Sequence, residues 1–97
     1  MIVLFKHSGT VDVFNGRATR TARRICPQTT WGVARRKLDQ LDSATVLGDL
    51  RVPPGNRLER LAGDRSGEYS IRVNDQYRIC FVWTDTGPAG VEIADYH

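Results

Sequence analysis

The side chains best suited to chemistry stand at the end of the sequence, where Asp95, Tyr96 and His97 follow one another. A histidine has an ordinary pKa near ~6.5, which suits general acid–base work, and a nearby carboxylate can orient the imidazole or raise that pKa. A tyrosine ring offers a plane on which a nucleotide base can stack. Because chain ends are usually loose, the alternative is a frayed, solvent-exposed terminus without a role.

A predicted β-hairpin supplies two cations to the same candidate site. The stretch from Glu68 to Trp83 alternates apolar and polar residues on either side of Asn74-Asp75-Gln76, which is typical of two paired strands. A two-residue loop would mix the two faces, whereas a three-residue loop keeps one face apolar, so we predict the three-residue loop. The expected cross-strand pairs are Val73 with Tyr77, Ile71 with Ile79, and Tyr69 with Phe81.

This register sets Arg72 directly across from Arg78 on the other face of the hairpin. Like charges in that arrangement destabilise the pair, by an amount within the roughly 0.2–1 kcal/mol range of cross-strand contacts. Either both guanidiniums turn towards solvent or carboxylates, or they flank a groove for a polyanion. If Tyr96 shares that face, the groove holds the parts needed to cut RNA without a metal. The 2′-OH must lose a proton, the charge at phosphorus must be stabilised, and the leaving 5′-oxygen must gain a proton.

Helices are expected in the first half of the chain. A helix over about 28–42 would present one apolar stripe to the sheet. A helical turn at Val11–Phe14 should stop at Asn15-Gly16, Arg17–Ile25 is open between helix and loop, and Ser43–Leu50 has room for a short turn. The stripe consists of Trp31, Ala34, Leu38 and Leu41, at spacings of three, four and three.

Three further strands are predicted around the hairpin, at Ile2–Phe5, Asn56–Ala62 and Gly90–Tyr96. Since helices and strands occupy separate parts of the sequence, the fold class is α+β, a curved antiparallel β-sheet with the N-terminal helices packed on one face. The face left uncovered would carry Arg72, Arg78, Cys80, Glu92 and Tyr96.

Length and composition indicate a small single-domain protein without membrane contact. The 97 residues predict a single domain over positions 1–97, with a net charge of +3. No apolar run approaches the ~20 residues needed to cross a bilayer, and the apolar start is too short for a signal peptide, so we expect a cytoplasmic protein without membrane contact. Cys26 and Cys80 match no metal spacing and are expected to be reduced thiols, and His7 and His97 are too scattered for a metal site. We therefore expect no metal and no cofactor.

The basic residues concentrate in one segment that contains no acidic residue. Such a segment is most often a solvated helical face, but it is also typical of a surface that meets nucleic acid or an acidic partner. We assign Arg35, Arg36 and Lys37 to partner binding. The segment contains Arg17, Arg20, Arg23, Arg24, Arg35, Arg36 and Lys37.

Four segments of the chain resemble those of a known family. The segments NRLERLAGDRSGEY and YSIRVNDQYRICF, the PPG before them and the terminal VEIADYH are similar to the HigB (plasmid-maintenance killer) branch of the RelE/ParE toxin superfamily, over nearly the whole chain. The resemblance implies a small RelE-like fold and ribosome-dependent cleavage of mRNA. It also implies neutralisation by a helix-turn-helix HigA-type antitoxin, with operator DNA bound only through the antitoxin complex.

The resemblance also assigns roles to residues. It gives proton transfer to His97, orientation or substrate contact to Asp95, stacking to Tyr96 and the scissile phosphate to Arg78. We add Arg57, Glu59 and Arg72 as RNA contacts. The chain departs from the family's R-L-H-P-L-K-G-D segment, because Glu59 replaces the histidine and Ala62 replaces the lysine.

Two other functions stay open. One is a ParE-like inhibitor of DNA gyrase, which would not need the terminal Asp95-Tyr96-His97. The other is a degenerate, non-catalytic binding module that keeps only its antitoxin or ribosomal RNA contacts, and the departures at Glu59 and Ala62 favour it.

Overall fold

The computed structural model of this chain describes residues 1–95, with three α-helices ahead of four β-strands. No helix in that range is both long and apolar enough to cross a membrane. The helices are α1 (Ser8–Phe14), α2 (Arg20–Ile25) and α3 (Trp31–Ser43), and the strands are β1 (Glu59–Arg60), β2 (Tyr69–Arg72), β3 (Tyr77–Thr84) and β4 (Gly87–Asp95). Short 3₁₀ turns lie at Gln28–Thr30, Leu47–Arg51, Pro54–Asn56 and Gly63–Arg65.

Local signals explain where the helices begin and end. Helix α1 stops at Asn15 because Gly16 adopts a left-handed conformation (φ 73°), as predicted, although the helix begins earlier than expected, at Ser8. The segment Arg17–Ile25, which the sequence left open between helix and loop, is helical from Arg20 onward as α2. Thr19 caps this helix by accepting a hydrogen bond from the amide of Ala22 at 3.1 Å. The short turn expected after Ser43 is the 3₁₀ turn at Leu47–Arg51.

The four strands form one antiparallel sheet in the order β1-β2-β3-β4. The predicted hairpin register is confirmed, with Tyr69 opposite Phe81, Ile71 opposite Ile79 and Arg72 opposite Arg78. The amide of Val73 donates to the carbonyl of Tyr77 at 3.0 Å, which closes the three-residue loop.

One face of this sheet packs on the helices. Ala34, Leu38 and Leu41 of the predicted α3 stripe are fully buried there, and Trp31 is half-buried at the margin. They meet the inward side chains of the sheet, so α3 is held by burial of apolar area. The sheet residues of this core include Ile71, Val73, Ile79, Phe81, Val91 and Ile93.

The three strands predicted around the hairpin differ in length from those in the structure. Residues 2–5, which were predicted as a full strand, meet β4 through a parallel bridge between Phe5 and Val91 and through a hydrogen bond from the amide of Val3 to the carbonyl of Pro88 at 2.8 Å. The strand predicted over Asn56–Ala62 shortens to Glu59–Arg60, since the 3₁₀ turn at Pro54–Asn56 occupies its start. Strand β4 starts at Gly87, earlier than expected.

The prediction of an uncovered second face is wrong. Arg78, Cys80 and Glu92 on that face have relative exposures of 8 %, 0 % and 7 %. The irregular segment 56–68 and the side chain of Lys6 contact this face, so Arg78, Cys80 and Glu92 form a buried polar layer, while Glu59 and Arg72 on the same face stay partly exposed.

Candidate active site

Two rows of side chains cross the polar face of the sheet. The register aligns Glu59, Ser70, Cys80 and Glu92 in one row, and Arg72, Arg78 and Ala94 in the next. Neighbouring rows on one face of a sheet stand roughly 7 Å apart, close to the length of one nucleotide step. The candidate site is therefore built on paired strands, with β1 at one edge of the sheet and β4 at the other.

Arg78 is held on this face by hydrogen bonds from two of its guanidinium nitrogens. Its Nε donates to the hydroxyl of Ser70 at 2.7 Å, and its Nη2 donates to the carbonyl of Arg57 at 2.6 Å and to that of Ser70 at 3.4 Å. These bonds hold a guanidinium that is almost entirely buried, and they fix its plane. Arg78 is thus a preorganised cation with only its margin accessible.

The carbonyl of Arg57 reaches Arg78 because the chain turns sharply just before β1. Arg57 adopts a left-handed conformation (φ 45°), which is unusual for a residue with a side chain. The fully buried amide of Asn56 holds this turn, since Nδ2 donates to Gln40 Oε1 and to the Leu50 carbonyl, each at 3.1 Å, and Oδ1 accepts from Lys37 Nζ at 2.5 Å. Helix α3 therefore braces the loop that completes the Arg78 site.

Glu59 and Arg72 lie on either side of Arg78 and differ in their partners. The Glu59 carboxylate is 3.9 Å from Arg78 Nη2 and half exposed, so this ion pair is weak. Arg72 is opposite Arg78 in the register, as predicted, but its guanidinium pairs with Asp75 of the hairpin loop. The facing arginines therefore turn towards separate oxygen partners, which is the first of the two arrangements expected for them.

Asp95 ends the described part of β4. It lies opposite Tyr77 in the register, one residue beyond the pair formed by Ala94 and Arg78, and its carboxylate accepts a hydrogen bond from Gln76 Nε2 at 3.0 Å. Because successive residues of a strand point to opposite faces, Asp95 and Arg78 leave the sheet on different faces. Tyr96 and His97, which were assigned to stacking and proton transfer, lie outside the described residues.

Glu92 gathers three separate parts of the chain at the other edge of the polar face. Its carboxylate is 3.0 Å from Lys6 Nζ, 3.2 Å from Arg65 Nη1 and 3.7 Å from His7 Nε2. Burial by itself would raise the pKa of Glu92, but the hydrogen bonds from Lys6 and Arg65 outweigh burial and leave the pKa below its ordinary value. Glu92 is therefore charged at neutral pH and ties residues 6–7 and the Gly63–Arg65 turn to β4.

The two thiols are unsuited to nucleophilic chemistry. Cys26 and Cys80 are buried and unbridged, as expected. Burial raises the pKa of Cys26 to about 11, against a smaller lowering by Trp31, and burial likewise raises the pKa of Cys80. Both stay protonated at neutral pH, where a thiol is a poor nucleophile. Within residues 1–95, no group of three or more His, Cys, Asp or Glu side chains is placed to hold a metal ion.

The cations assigned to partner binding are not equivalent. Arg35 and Arg36 are exposed on α3. Lys37 is half-buried, and burial, together with the charge of Arg36, lowers its pKa. Because Lys37 already donates to Asn56, it serves the internal loop rather than an external surface.

Sequence reasoning missed Ser70, Asn56 and the cluster around Glu92. Ser70 carried a usable signal, since a serine on the polar side of a predicted strand lies next to the facing arginines. No pattern in the sequence signals the contact between Lys6 and Glu92, because the two residues are 86 positions apart.

The sequence matches one family model and several known proteins. The sequence model of a family described as "RelE-like toxin of type II toxin-antitoxin system HigB" matches residues 4–97. Toxin HigB-1 of Vibrio cholerae is 50 % identical over 62 residues, and an uncharacterised Haemophilus influenzae protein is 44 % identical over 55 residues. Those alignments cover 64 % and 57 % of this chain, and 65 % and 54 % of the respective relatives, so the chain spans less than two thirds of either.

A third relative aligns from end to end, and a solved structure shares the fold. Endoribonuclease HigB of Proteus vulgaris is 31 % identical over 97 residues, which is 100 % of both chains. A chain of the YoeB-YefM complex from Staphylococcus aureus superposes with a TM-score of 0.60 at 15 % identity, covering 100 % of this chain and 95 % of that one. At that identity the match concerns the fold alone, and it agrees with the predicted α+β architecture.

Proposed function

The chain belongs to the HigB-like family of RelE-like type II toxins, and on that premise we propose that it is an endoribonuclease that cuts mRNA on the translating ribosome. The observation that carries the proposal is the Arg78 guanidinium, fixed by Ser70 and the Arg57 carbonyl on a rigid strand. A preorganised cation of this kind stabilises the charge that develops on a phosphate in the transition state. The relative named Endoribonuclease HigB supports the same reaction class.

The proposed reaction uses the RNA itself as nucleophile. The 2′-OH loses its proton as the 2′-oxygen attacks phosphorus, and the leaving 5′-oxygen gains a proton as its bond to phosphorus breaks. His97 carries out one of these two proton transfers, and solvent water carries out the other. The products are a 2′,3′-cyclic phosphate and a 5′-hydroxyl end, and the step needs no metal. Tyr96 stacks on a base. Because Asp95 leaves the sheet on the face away from Arg78, its proposed role is to orient the imidazole or to contact a part of the substrate away from the scissile phosphate. Arg78 acts on the equatorial oxygens of the phosphorus.

Three further residues form the proposed RNA contacts. Arg57 and Arg72 are cations beside the Arg78 site, and each can meet a phosphate next to the scissile one. Glu59, in the position where the family resemblance has a histidine, lies at the mouth of the site and is half exposed. Its carboxylate partly offsets the charge of Arg78, so we expect Glu59 to weaken phosphate binding.

The proposed partners follow from the family. An antitoxin of the HigA helix-turn-helix type neutralises the toxin, operator DNA is contacted only through the toxin–antitoxin complex, and the toxin acts in the cytoplasm, where ribosomes and mRNA are found. Arg35 and Arg36 remain proposed contacts of the partner, because both are exposed on α3.

A non-catalytic binding module is the second candidate, and the Glu59–Arg78 pair favours it. A carboxylate next to the phosphate-binding cation, together with Ala62 in place of a lysine, lowers the positive potential of the site. On this reading the chain keeps its antitoxin or ribosomal RNA contacts and does not cut.

Primer extension on mRNA in a translating extract, with and without the purified protein, tests the proposal. If the protein cuts mRNA on the ribosome, new 5′ ends should form at in-frame codons. These ends should be absent when ribosomes are omitted. Translation arrest without new ends would favour the binding module, and growth arrest that persists after removal of His97 would favour a gyrase inhibitor.

A further inference from the structure

A cleft beside the edge of the sheet belongs to no part of the candidate active site. It has a volume of about 530 Å³ and is lined by Leu47, Arg51, Leu58, Arg60 and Tyr69. Its walls come from the 3₁₀ turn at Leu47–Arg51, from β2, and from β1 with the residue before it.

The register places this cleft on the helix-facing side of the sheet. Arg60 lies opposite Tyr69, and Tyr69 lies opposite Phe81, a core residue on which the Tyr69 ring also stacks, with centroids 6.2 Å apart. Arg78 and Ser70 leave the opposite face. A ligand in the cleft would therefore not touch the scissile phosphate.

The chemistry of the cleft is apolar inside and cationic at the mouth. Leu47, Leu58 and Tyr69 are half-buried, and two exposed valines flank the Leu47–Arg51 turn in the sequence, Val46 at 58 % and Val52 at 68 % exposure. Arg51 and Arg60 are exposed and enter none of the ion pairs formed within residues 1–95. A ligand that satisfies both features carries an apolar side chain flanked by carboxylates.

We propose that this cleft is a docking site for an acidic segment of the antitoxin, with one apolar side chain seated between Leu47, Leu58 and Tyr69 and carboxylates at Arg51 and Arg60. The inference rests on the proposed function, which supplies the antitoxin as partner. Charge complementarity identifies an acidic occupant. The leucines and the neighbouring valines favour a protein over RNA, whose backbone would leave that apolar surface unused.

The test compares two variants with the same change of net charge. The full-length antitoxin encoded beside the toxin gene serves as the probe, and its affinity for the full-length toxin is measured by calorimetry. The double variant R51E/R60E is expected to bind it roughly tenfold or more weakly, a loss of ~1.4 kcal/mol, while its growth arrest persists. R23E/R24E, which reverses two exposed arginines on α2, is expected to keep the wild-type affinity.

The proposal is overturned if R51E/R60E binds the antitoxin like the wild type, or if both variants lose affinity equally, which would indicate only the overall charge. It is also overturned if R51E/R60E keeps the antitoxin but loses mRNA cleavage, because the cleft would then serve RNA. A different result would contradict the proposed function: the wild-type toxin would then neither arrest growth nor cut mRNA. Leu58→Ala, checked for an unchanged melting temperature, adds an uncharged probe that should also weaken antitoxin binding.

Discussion

The guanidinium of Arg78 donates a 2.6 Å hydrogen bond to the backbone carbonyl of Arg57, across 21 positions of sequence. This bond joins the central strand of the sheet to the irregular loop ahead of the edge strand. The cation proposed to bind the scissile phosphate is thus positioned by a backbone atom as well as by Ser70.

Replacing Arg78 with lysine should distinguish the effect of its positive charge from the effect of its planar hydrogen-bonding geometry. Arg78→Lys keeps one positive charge but loses the planar fork that meets Ser70 and the Arg57 carbonyl, so we expect cleavage to fall by about 10²-fold or more. Buried acceptors left without a donor should also cost about 1–3 kcal/mol in the free energy of unfolding. Single-turnover cleavage and urea unfolding measure the two effects, and retention of wild-type cleavage by Arg78→Lys would remove Arg78 from the phosphate site.

The left-handed conformation of Arg57 predicts a difference between two small substitutions. Arg57→Gly relieves the backbone, whereas Arg57→Ala keeps the strain, so the glycine variant should be more stable than the alanine variant by about 1 kcal/mol. Both variants lose the same side chain, so they should lose the same RNA affinity. Chemical denaturation of the pair checks the backbone effect, and equal stability would contradict it.

Glu92 should make the stability of the protein depend on pH. Because its pKa in the folded state lies below the ordinary value of 4.5, its contribution is present above that value and is lost as the pH falls through the folded pKa. Glu92→Gln should therefore be less stable than wild type by about 1–2 kcal/mol at pH 7, and the difference should shrink below pH 4.5. The matched control is Glu59→Gln, whose exposed carboxylate should contribute under about 0.5 kcal/mol. A difference between wild type and Glu92→Gln that stays constant down to pH 3 would refute the linkage.

The two departures from the family pattern should limit RNA binding. Glu59→Gln removes the carboxylate beside Arg78, and Ala62→Lys adds a cation at an exposed position, so each should strengthen binding to RNA at low salt. Ala62→Lys should also steepen the salt dependence by about one phosphate contact, whereas Ala62→Gln should leave it unchanged. Fluorescence anisotropy against salt concentration with a short single-stranded RNA makes this measurement, and identical slopes for the two Ala62 variants would place position 62 outside the binding surface.

The sequence predicted the helix and strands in which apolar residues recur at a regular spacing. The two-residue alternation of Tyr69–Arg72 and Tyr77–Thr84 fixed the hairpin register, and the helical spacing of Leu38 and Leu41 located the buried side of α3. The same register predicted that Arg72 and Arg78 face each other.

The sequence could not predict the burial of the polar face. The segment that covers it, residues 56–68, has no regular period, and its conformation depends on the buried amide of Asn56 and the left-handed Arg57. The charge cluster at Glu92 depends on contacts with Lys6 and Arg65, which are 86 and 27 positions away. Distant polar contacts of this kind leave no local pattern from which to infer them.

The central claim is that the chain cuts RNA through its 2′-OH, and one substituted mRNA tests it most directly. An mRNA carrying a single 2′-deoxy nucleotide on the 5′ side of a mapped cut site is translated with the protein present, beside the same mRNA with the deoxy nucleotide one position downstream. We predict that cleavage at that site disappears only with the first mRNA, since the attacking oxygen is missing there. Equal cleavage of the two would contradict the account, because the nucleophile would then come from elsewhere.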